Sequence, residues 1–229
     1  MSKSKGNVIY PETIIEKYGL DATKYFLLKT LNNGQDGVFT PEGFVEMYNT
    51  ELCNDLGNLL NRTIGMINKY FGGELLGKPE NLSVLDNELE EYVTKQIEIV
   101  EQEMDEAHIA NALEEIWKII SRANKYIDET MPWVLFKEDK KEALNSVMYH
   151  LVEILRKVAI LIYSSMEETS NLIFKQLGIE EENLKTWKSL KDFKDLKNLK
   201  VVEKGEPIFV RLDANKEAEY LKDQMHGNK

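Results

Sequence analysis

The sequence predicts an all-α protein: an antiparallel helical bundle with a short N-terminal helical junction and a C-terminal tail. Apolar residues recur at helical spacing from residue 11 to about residue 177. Short turns interrupt this periodicity and leave four long helical segments, the pattern of an antiparallel bundle. No stretch alternates strands with helices as in a nucleotide-binding α/β fold. At 229 residues and 42% hydrophobic, the chain can bury a substantial core.

The first elements are two short helices after an N-terminal loop. In "PETIIEKYG", Pro11 lies where a first helical turn tolerates proline, and Gly19 lies where a helix C-terminus favours glycine. Asp21 is then the expected N-cap of a second helix over "ATKYFLLKT". The turn cluster "NNGQDGV" ends this N-terminal junction, which we bound at residues 1–36.

The first long helix begins where Thr40 precedes Pro41, continues to about Phe71 and ends at Gly72 and Gly73. Its apolar stripe is formed by Phe44, Tyr48, Leu52, Leu56, Leu59, Thr63, Ile67 and Tyr70.

Three further long helices complete the predicted bundle. Asp86 predicts the N-cap of a helix that continues through Ala107. A helix over about residues 110–129 ends before Pro132, and another covers about residues 140–166. Within the last, "VMYHLVEILRKVAILIY" is apolar on most faces, as expected of a helix surrounded by others. We bound the bundle at residues 37–178.

The tail, residues 179–229, has weaker periodicity and is expected to fold back. "PIFVRL" predicts a strand, and "NKEAEYLKDQM" predicts a short helix. In "KTWKSLKDFKDLKNLK" a lysine occurs at every third position with apolar residues between. We favour a solvated amphipathic segment here over the alternative, a phosphate-binding patch.

Composition excludes several classes of protein. A net charge of −11 argues against coating nucleic acid through the whole surface, so any such contact must be local. No apolar run approaches the roughly 20 residues of a membrane span, and no secretory signal is evident, so we expect a cytoplasmic protein. The single cysteine, Cys53, and the widely spaced His108, His150 and His226 predict no metal site.

The opening "MSKSKGN" has the composition of a phosphate-binding loop, because lysines neutralise phosphate charge and glycine permits close backbone approach. Together with "VIYPETIIEKYGLDATKYFLL", it resembles the KMSKS signature of the class I aminoacyl-tRNA synthetases and the helical junction that follows it. In that family the motif stabilises the triphosphate of ATP while an aminoacyl-adenylate forms. The resemblance puts Ser2, Lys3 and Ser4 on these positions; the motif's first lysine would precede Met1.

The rest of such an enzyme is not recognisable, since neither a HIGH-like sequence nor a glycine-rich strand-turn-helix occurs. We therefore expect the chain to be the C-terminal portion of a longer ligase, with Met1 an internal methionine. On this interpretation Lys3 contacts ATP only in the full-length enzyme, and the chain alone binds no cofactor and is inactive.

Several class I enzymes share the loop, so the loop does not distinguish among them. Two later segments indicate which synthetase the chain resembles. "DGVFTPEGFVEMYNTELCNDLGNLLNRTIGMINKYF" and "ANKYIDETMPWVLFK" resemble the segments of the methionyl-tRNA synthetases that lead through the first anticodon-domain helix and into its Pro-Trp element. With the opening loop, these similarities cover most of residues 1–165. The resemblance implies two partners: the anticodon loop of methionine tRNA and the catalytic domain of the same polypeptide.

The residues themselves suit recognition of single-stranded RNA. Asn58 and Arg62 are four apart, so both lie on one helical face at the edge of the apolar stripe, with Asn54 and Gly65 alongside. An amide and a guanidinium can hydrogen-bond the edges of unstacked bases, and Trp133 after Pro132 can stack on one of them. The resemblance implies that Asn58, Arg62 and Trp133 recognise the CAU anticodon.

Alternatives remain open at each of these positions. Trp133 could fill the core, and an Asn-Arg pair on a helix is often only surface. Trp117, among isoleucines at helical spacing, is predicted to be core, and weaker candidates for the RNA site are Asn54, Asn124 and Tyr126. For the whole chain the alternatives are the C-terminal domain of another class I synthetase and a stand-alone helical module that binds proteins.

Overall fold

Helices form nearly all of the regular structure in residues 9–30 and 39–226, the part of the chain that the computed structural model describes. The α-helices are α1 (Pro11–Tyr18), α2 (Leu20–Thr30), α3 (Pro41–Met47), α4 (Asn58–Phe71), α5 (Val84–Asp105), α6 (Ile109–Thr130), α7 (Pro132–Lys137), α8 (Lys141–Ile162), α9 (Glu167–Leu177) and α10 (Ala214–His226). A π-helical segment, Tyr48–Gly57, joins α3 to α4, and two 3₁₀ turns occupy Glu182–Lys185 and Trp187–Lys191. The predicted all-α bundle is thus confirmed.

Local signals place several helix ends where the sequence predicts them. Gly19 ends α1 with φ of +89°, a conformation that glycine adopts without steric cost. Thr40 caps α3 by accepting a hydrogen bond at Oγ1 from the backbone N–H of Gly43 at 3.2 Å.

Two predicted N-caps are wrong. Helix α2 already begins at Leu20, and the carboxylate of Asp21 instead accepts from the backbone N–H of Thr169 at 2.7 Å, in the first turn of α9. Ser83 caps α5, and Asp86 is the third helical residue, accepting from the backbone N–H of Ser83 at 2.8 Å in a capping box. In both cases the acid satisfies orphan amide groups of a helix N-terminus, but at a different position from the predicted one.

The first long helix is continuous but is not α-helical throughout. Four stripe residues follow one another at intervals of four (Phe44, Tyr48, Leu52 and Leu56), and all are buried. At 3.6 residues per turn each such step drifts by about 40° around a helix. The wider turn of the π segment counters this drift and keeps the side chains on the buried face.

Helix α8 is the centre of the bundle, and every residue from Leu144 to Ile162 is buried. It packs against α4, α5, α6, α7 and α9. The prediction that this helix is surrounded is confirmed. Charged residues also lie inside: Glu153, Arg156 and Lys157 have no exposed surface.

The tail lies along the bundle and reaches the N-terminal helices. Its backbone passes between the ends of α4 and α9: the N–H of Val201 donates to Gly73 O and the N–H of Val202 donates to Gln176 O, both at 3.0 Å. Helix α10 packs on α3, and its Glu217 accepts from the hydroxyl of Tyr18 on α1 at 2.7 Å.

The predicted strand "PIFVRL" is wrong, because residues 207–212 form no strand. The backbone instead pairs with the side-chain amide of Asn49, which donates to Leu212 O at 3.0 Å and accepts from Leu212 N–H at 2.9 Å. The helix predicted after it is present as α10.

Candidate nucleic-acid interface

One face of α4 carries the polar residues that the sequence singles out. Asn58 is exposed at the first residue of the helix, Gly65 is exposed two turns later, and Arg62 lies partly exposed between them. Leu59, Thr63 and Ile67 are buried on the opposite side. The guanidinium of Arg62 makes one contact within the described residues, from Nη2 to Oδ1 of Asp128 at 3.4 Å. This contact is long and solvent-exposed, so it holds the side chain only weakly.

Trp133 lies at the corner between α6 and α7. Met131 adopts φ of +45° and ends α6, and the buried Pro132 then begins α7. The indole of Trp133 is 41% exposed, so it does not fill the core. The indole N–H groups of Trp117 and Trp187 donate to Glu51 O at 3.2 Å and to Glu101 Oε1 at 3.4 Å, whereas that of Trp133 finds no partner in residues 9–30 or 39–226.

Two contacts join this corner to α4, a weak ion pair and a ring stack. Asp128 pairs with Arg62, and Phe136 stacks on Tyr70 with ring centroids 4.6 Å apart and planes inclined by 27°. Because Asp128 and Phe136 flank Trp133 in sequence and both contact α4, the corner that presents Trp133 runs along the helix that presents Arg62. A partly exposed guanidinium and an exposed indole on adjoining elements can donate to the edge of one unstacked base and stack on another.

The weaker candidates have structural partners. Asn54 is exposed but accepts from Nη1 of Arg211 at 3.1 Å, on the side of the tail. Tyr126 is fully buried, and its hydroxyl donates to Asp86. The side-chain amide of Asn124 donates to the carbonyl of Asp55 at 3.2 Å. None of these three contacts belongs to the surface formed by Arg62 and Trp133.

Trp117 is a core residue, as predicted, and has an additional role. Its indole N–H and the amide of Asn124, two turns further along α6, donate to the carbonyls of Glu51 and Asp55 in the π segment. The π geometry that precedes Asn58 is thus held by donors from α6.

Sequence reasoning missed the exposed aromatic ring of Phe136. Its ring is 46% exposed, and it lies three residues after Trp133 on the same short helix. The spacing alone could have suggested a second platform, but a phenylalanine beside "VL" is more commonly a core residue.

The lysine-periodic segment has the amphipathic character that we favoured. Leu190, Phe193 and Leu196 are buried, while the lysines alternating with them lie mostly towards solvent. The spacing of three matches the 3₁₀ turns that open the segment, because a 3₁₀ helix has three residues per turn.

The residues matched to the KMSKS motif fall in a part of the chain that the structure does not describe. Ser2, Lys3 and Ser4 lie outside the described residues. Among those that are described, no three His, Cys, Asp or Glu side chains are arranged to hold a metal ion. None of the helices in residues 9–30 and 39–226 is long and apolar enough to cross a membrane.

Two family models match the chain. Residues 1–64 match the family described as class I tRNA synthetases (M), and residues 78–229 match the anticodon binding domain of methionyl tRNA ligase. The chain is 50% identical over its whole length to a methionine–tRNA ligase of Bacillus subtilis and 49% identical over its whole length to that of Listeria innocua. It spans about a third of these relatives, 34% and 35% of their lengths.

Solved structures show the same fold. The methionyl-tRNA synthetase of Mycobacterium tuberculosis bound by methionyl-adenylate superposes with a TM-score of 0.83 at 31% identity, covering 92% of this chain and 41% of that one. Its apo form gives a TM-score of 0.82 at 30% identity, covering 90% of this chain and 42% of that one. The chain therefore belongs to the methionyl-tRNA ligase family, and residues 78–229 carry the match to its anticodon-binding domain.

Proposed function

We propose that this chain is the anticodon-binding portion of a methionine–tRNA ligase, a class I aminoacyl-tRNA synthetase that charges methionine tRNA at the expense of ATP in the cytoplasm. Residues 37–178 bind the anticodon loop, residues 179–229 form a tail folded on this bundle, and residues 1–36 join it to a catalytic domain. In the full-length enzyme Ser2, Lys3 and Ser4 contact the ATP phosphates.

The observation that carries the proposal is an exposed tryptophan whose indole N–H has no partner within the described residues, presented beside an arginine with one weak contact. Trp133 stacks on an unstacked anticodon base, which is worth roughly 1–3 kcal/mol. Asn58 and Arg62 bond base edges from the adjoining helix face, and Arg62 exchanges Asp128 for the base at little cost. Recognition through a few bases also suits a chain of net charge −11.

The test is Trp133→Ala in the full-length ligase. We expect charging of methionine tRNA to fall roughly 10- to 100-fold, while ATP–pyrophosphate exchange stays near wild type because the adenylate forms without tRNA. Trp187→Ala is the matched control, since Trp187 is equally exposed at 41% but lies in the tail. Equal charging by both variants and the wild type would contradict the proposal. Loss of exchange together with charging would indicate a general defect.

The alternative of a stand-alone protein-interaction module is not favoured, since the matches to methionine–tRNA ligases extend over the whole chain. The match over residues 78–229 is likewise to the methionyl enzyme and not to another class I synthetase.

A further inference from the structure

A second aromatic surface adjoins Trp133. Phe136 stacks one face on Tyr70 and is 46% exposed, which leaves the other face open. Residues three apart on a helix lie on neighbouring parts of its surface, so the open ring of Phe136 continues the surface that Trp133 begins. The stack on Tyr70 fixes the orientation of the ring.

A small cavity of about 230 Å³ opens beside this ring. Its apolar lining comes from both sides of the corner: Tyr70, Phe71, Leu76, Leu135, Phe136 and Leu144. The volume is below the roughly 300–1,000 Å³ of sites for drug-sized ligands, so the cavity suits a single planar ring system. Asp139 also lines it and offers carboxylate oxygens that can accept from the exocyclic amine of a base.

The rim of the cavity carries cations held only by exposed partners. Lys140 pairs with Glu138 at 2.7 Å, and Lys141 is 3.8 Å from Asp139, with all four side chains at least half exposed. Such pairs exchange readily for a phosphate. Stacking faces bordered by lysines are the composition of a single-stranded nucleic-acid site, whereas a protein-binding groove needs no such cations.

We propose that the Phe136 ring and the cavity beside it hold one base of the anticodon loop that directly flanks the CAU triplet. The loop then continues past Trp133 onto Phe136, with its backbone phosphate at Lys140 and Lys141. This inference rests on the proposed function, because it requires the triplet to be bound at Asn58, Arg62 and Trp133.

The test measures binding of a fluorescently labelled anticodon stem-loop of methionine tRNA to the 229-residue chain. Phe136→Leu keeps an apolar side chain but removes the stacking face, and Phe136→Trp restores one. We expect Phe136→Leu to weaken binding roughly 5- to 100-fold and Phe136→Trp to bind within a few-fold of wild type. Circular dichroism melting of both variants checks that the fold is retained.

A second series identifies the base. Stem-loops with an abasic nucleotide immediately 5′ or immediately 3′ of the triplet should weaken binding to the wild-type chain at one of the two positions. At that position the same loss should vanish in Phe136→Leu, because the two changes remove one contact.

The outcomes separate this inference from the function on which it rests. Weakened binding by Trp133→Ala with unchanged binding by Phe136→Leu would overturn the flanking-base site alone. No binding by the unmodified chain, or unchanged binding by both variants, would overturn both proposals. Wild-type RNA affinity in Phe136→Leu together with loss of self-association would assign the surface to a second copy of the chain and would also overturn the proposal.

Discussion

At the scale of single residues, two arginines show how environment separates a residue available for binding from a structural one. Arg62 is partly exposed and makes one long contact with an exposed carboxylate. Arg156 is fully buried and pairs with Glu153 through two hydrogen bonds of 2.7 Å each. Its remaining N–H groups donate to Leu184 O and to Ser189. Of these two arginines, only Arg62 can donate to an incoming base without leaving a buried partner unsatisfied.

The buried carboxylate of Asp86 accepts hydrogen bonds from Tyr126, Ser83 and Ser146. Burial opposes its ionisation, but the hydrogen bonds outweigh burial and hold the pKa of Asp86 below its ordinary value of 3.8. We expect Asp86→Ala to lower the free energy of unfolding at neutral pH by about 3 kcal/mol, since three donors lose their acceptor.

The advantage of wild type over Asp86→Ala should shrink as pH falls below about 4, because there the unfolded chain takes up the proton more readily than the folded one. Urea unfolding at neutral and acidic pH measures both effects. Asp128→Ala is the control, since its carboxylate is 71% exposed. A cost at neutral pH no larger than that of this control would contradict the structural role of Asp86.

At the scale of elements, helix ends followed local signals, but helix geometry did not. Gly19 and Thr40 act through their own neighbours, so the sequence alone could place those ends. The π segment depends on Trp117 and Asn124, which lie more than sixty residues away, so a local pattern could not reveal it. "PIFVRL" has the β-branched and aromatic residues typical of a strand, but a side-chain amide of the π segment pairs with its backbone in place of a second strand.

The candidate site shows the same division. Asn58, Arg62 and Trp133 could be selected only because the segments around them resemble the methionyl-tRNA synthetases; the residue pattern by itself left a surface pair and a core tryptophan open. Phe136 was not selected, because a phenylalanine beside "VL" is more commonly a core residue, and its stack on Tyr70 joins residues far apart in the sequence.

The tail crosses the end of α9 very close to a glycine. Gly178 has φ of +73°, and a Cβ there would overlap the carbonyl oxygen of Lys200, where the tail crosses. Gly72 at the end of α4 has a similar φ of +63° but nothing within 4 Å of the Cβ position. Both alanine variants carry the left-handed backbone cost of about 1 kcal/mol, so Gly72→Ala is a matched control.

We expect Gly178→Ala to lose about 2 kcal/mol more than Gly72→Ala, because the tail must shift away from α9. Thermal unfolding of the two variants measures the difference. Equal melting temperatures would mean that the tail does not lie against α9 as described.

At the scale of the whole molecule, the tail covers charges that would otherwise lie unpaired in the bundle. Lys157 on α8 donates to the carbonyls of Leu190 and Asp192 and lies 4.6 Å from the ring centroid of Phe193. Burying an ammonium group is tolerated only with such partners. The bundle and the tail therefore stabilise each other. For this reason the tail follows a fixed path although it contains little regular structure.

This coupling predicts a pH dependence of stability. Burial lowers the pKa of Lys157 from 10.5 to about 8. Between these values the folded lysine is neutral while the unfolded one remains charged, so the unfolded chain binds more protons and the free energy of unfolding rises with pH. We expect wild type to gain about 2 kcal/mol relative to Lys157→Met between about pH 7.5 and pH 9.5. The tyrosines cancel in this comparison because both proteins contain them.

Urea unfolding across that pH range measures the gain, and Lys188→Met, which removes an exposed lysine of the same tail, should show none. If the free energy of unfolding depends on pH in the same way in wild type and in Lys157→Met, the lysine is in solvent and this part of the tail does not pack on α8. The predicted result instead requires residues 190–193 to close over the amine in the folded state. In that case, the surface that presents Trp133 and Phe136 is supported by a core that is completed by the C-terminal fifth of the chain.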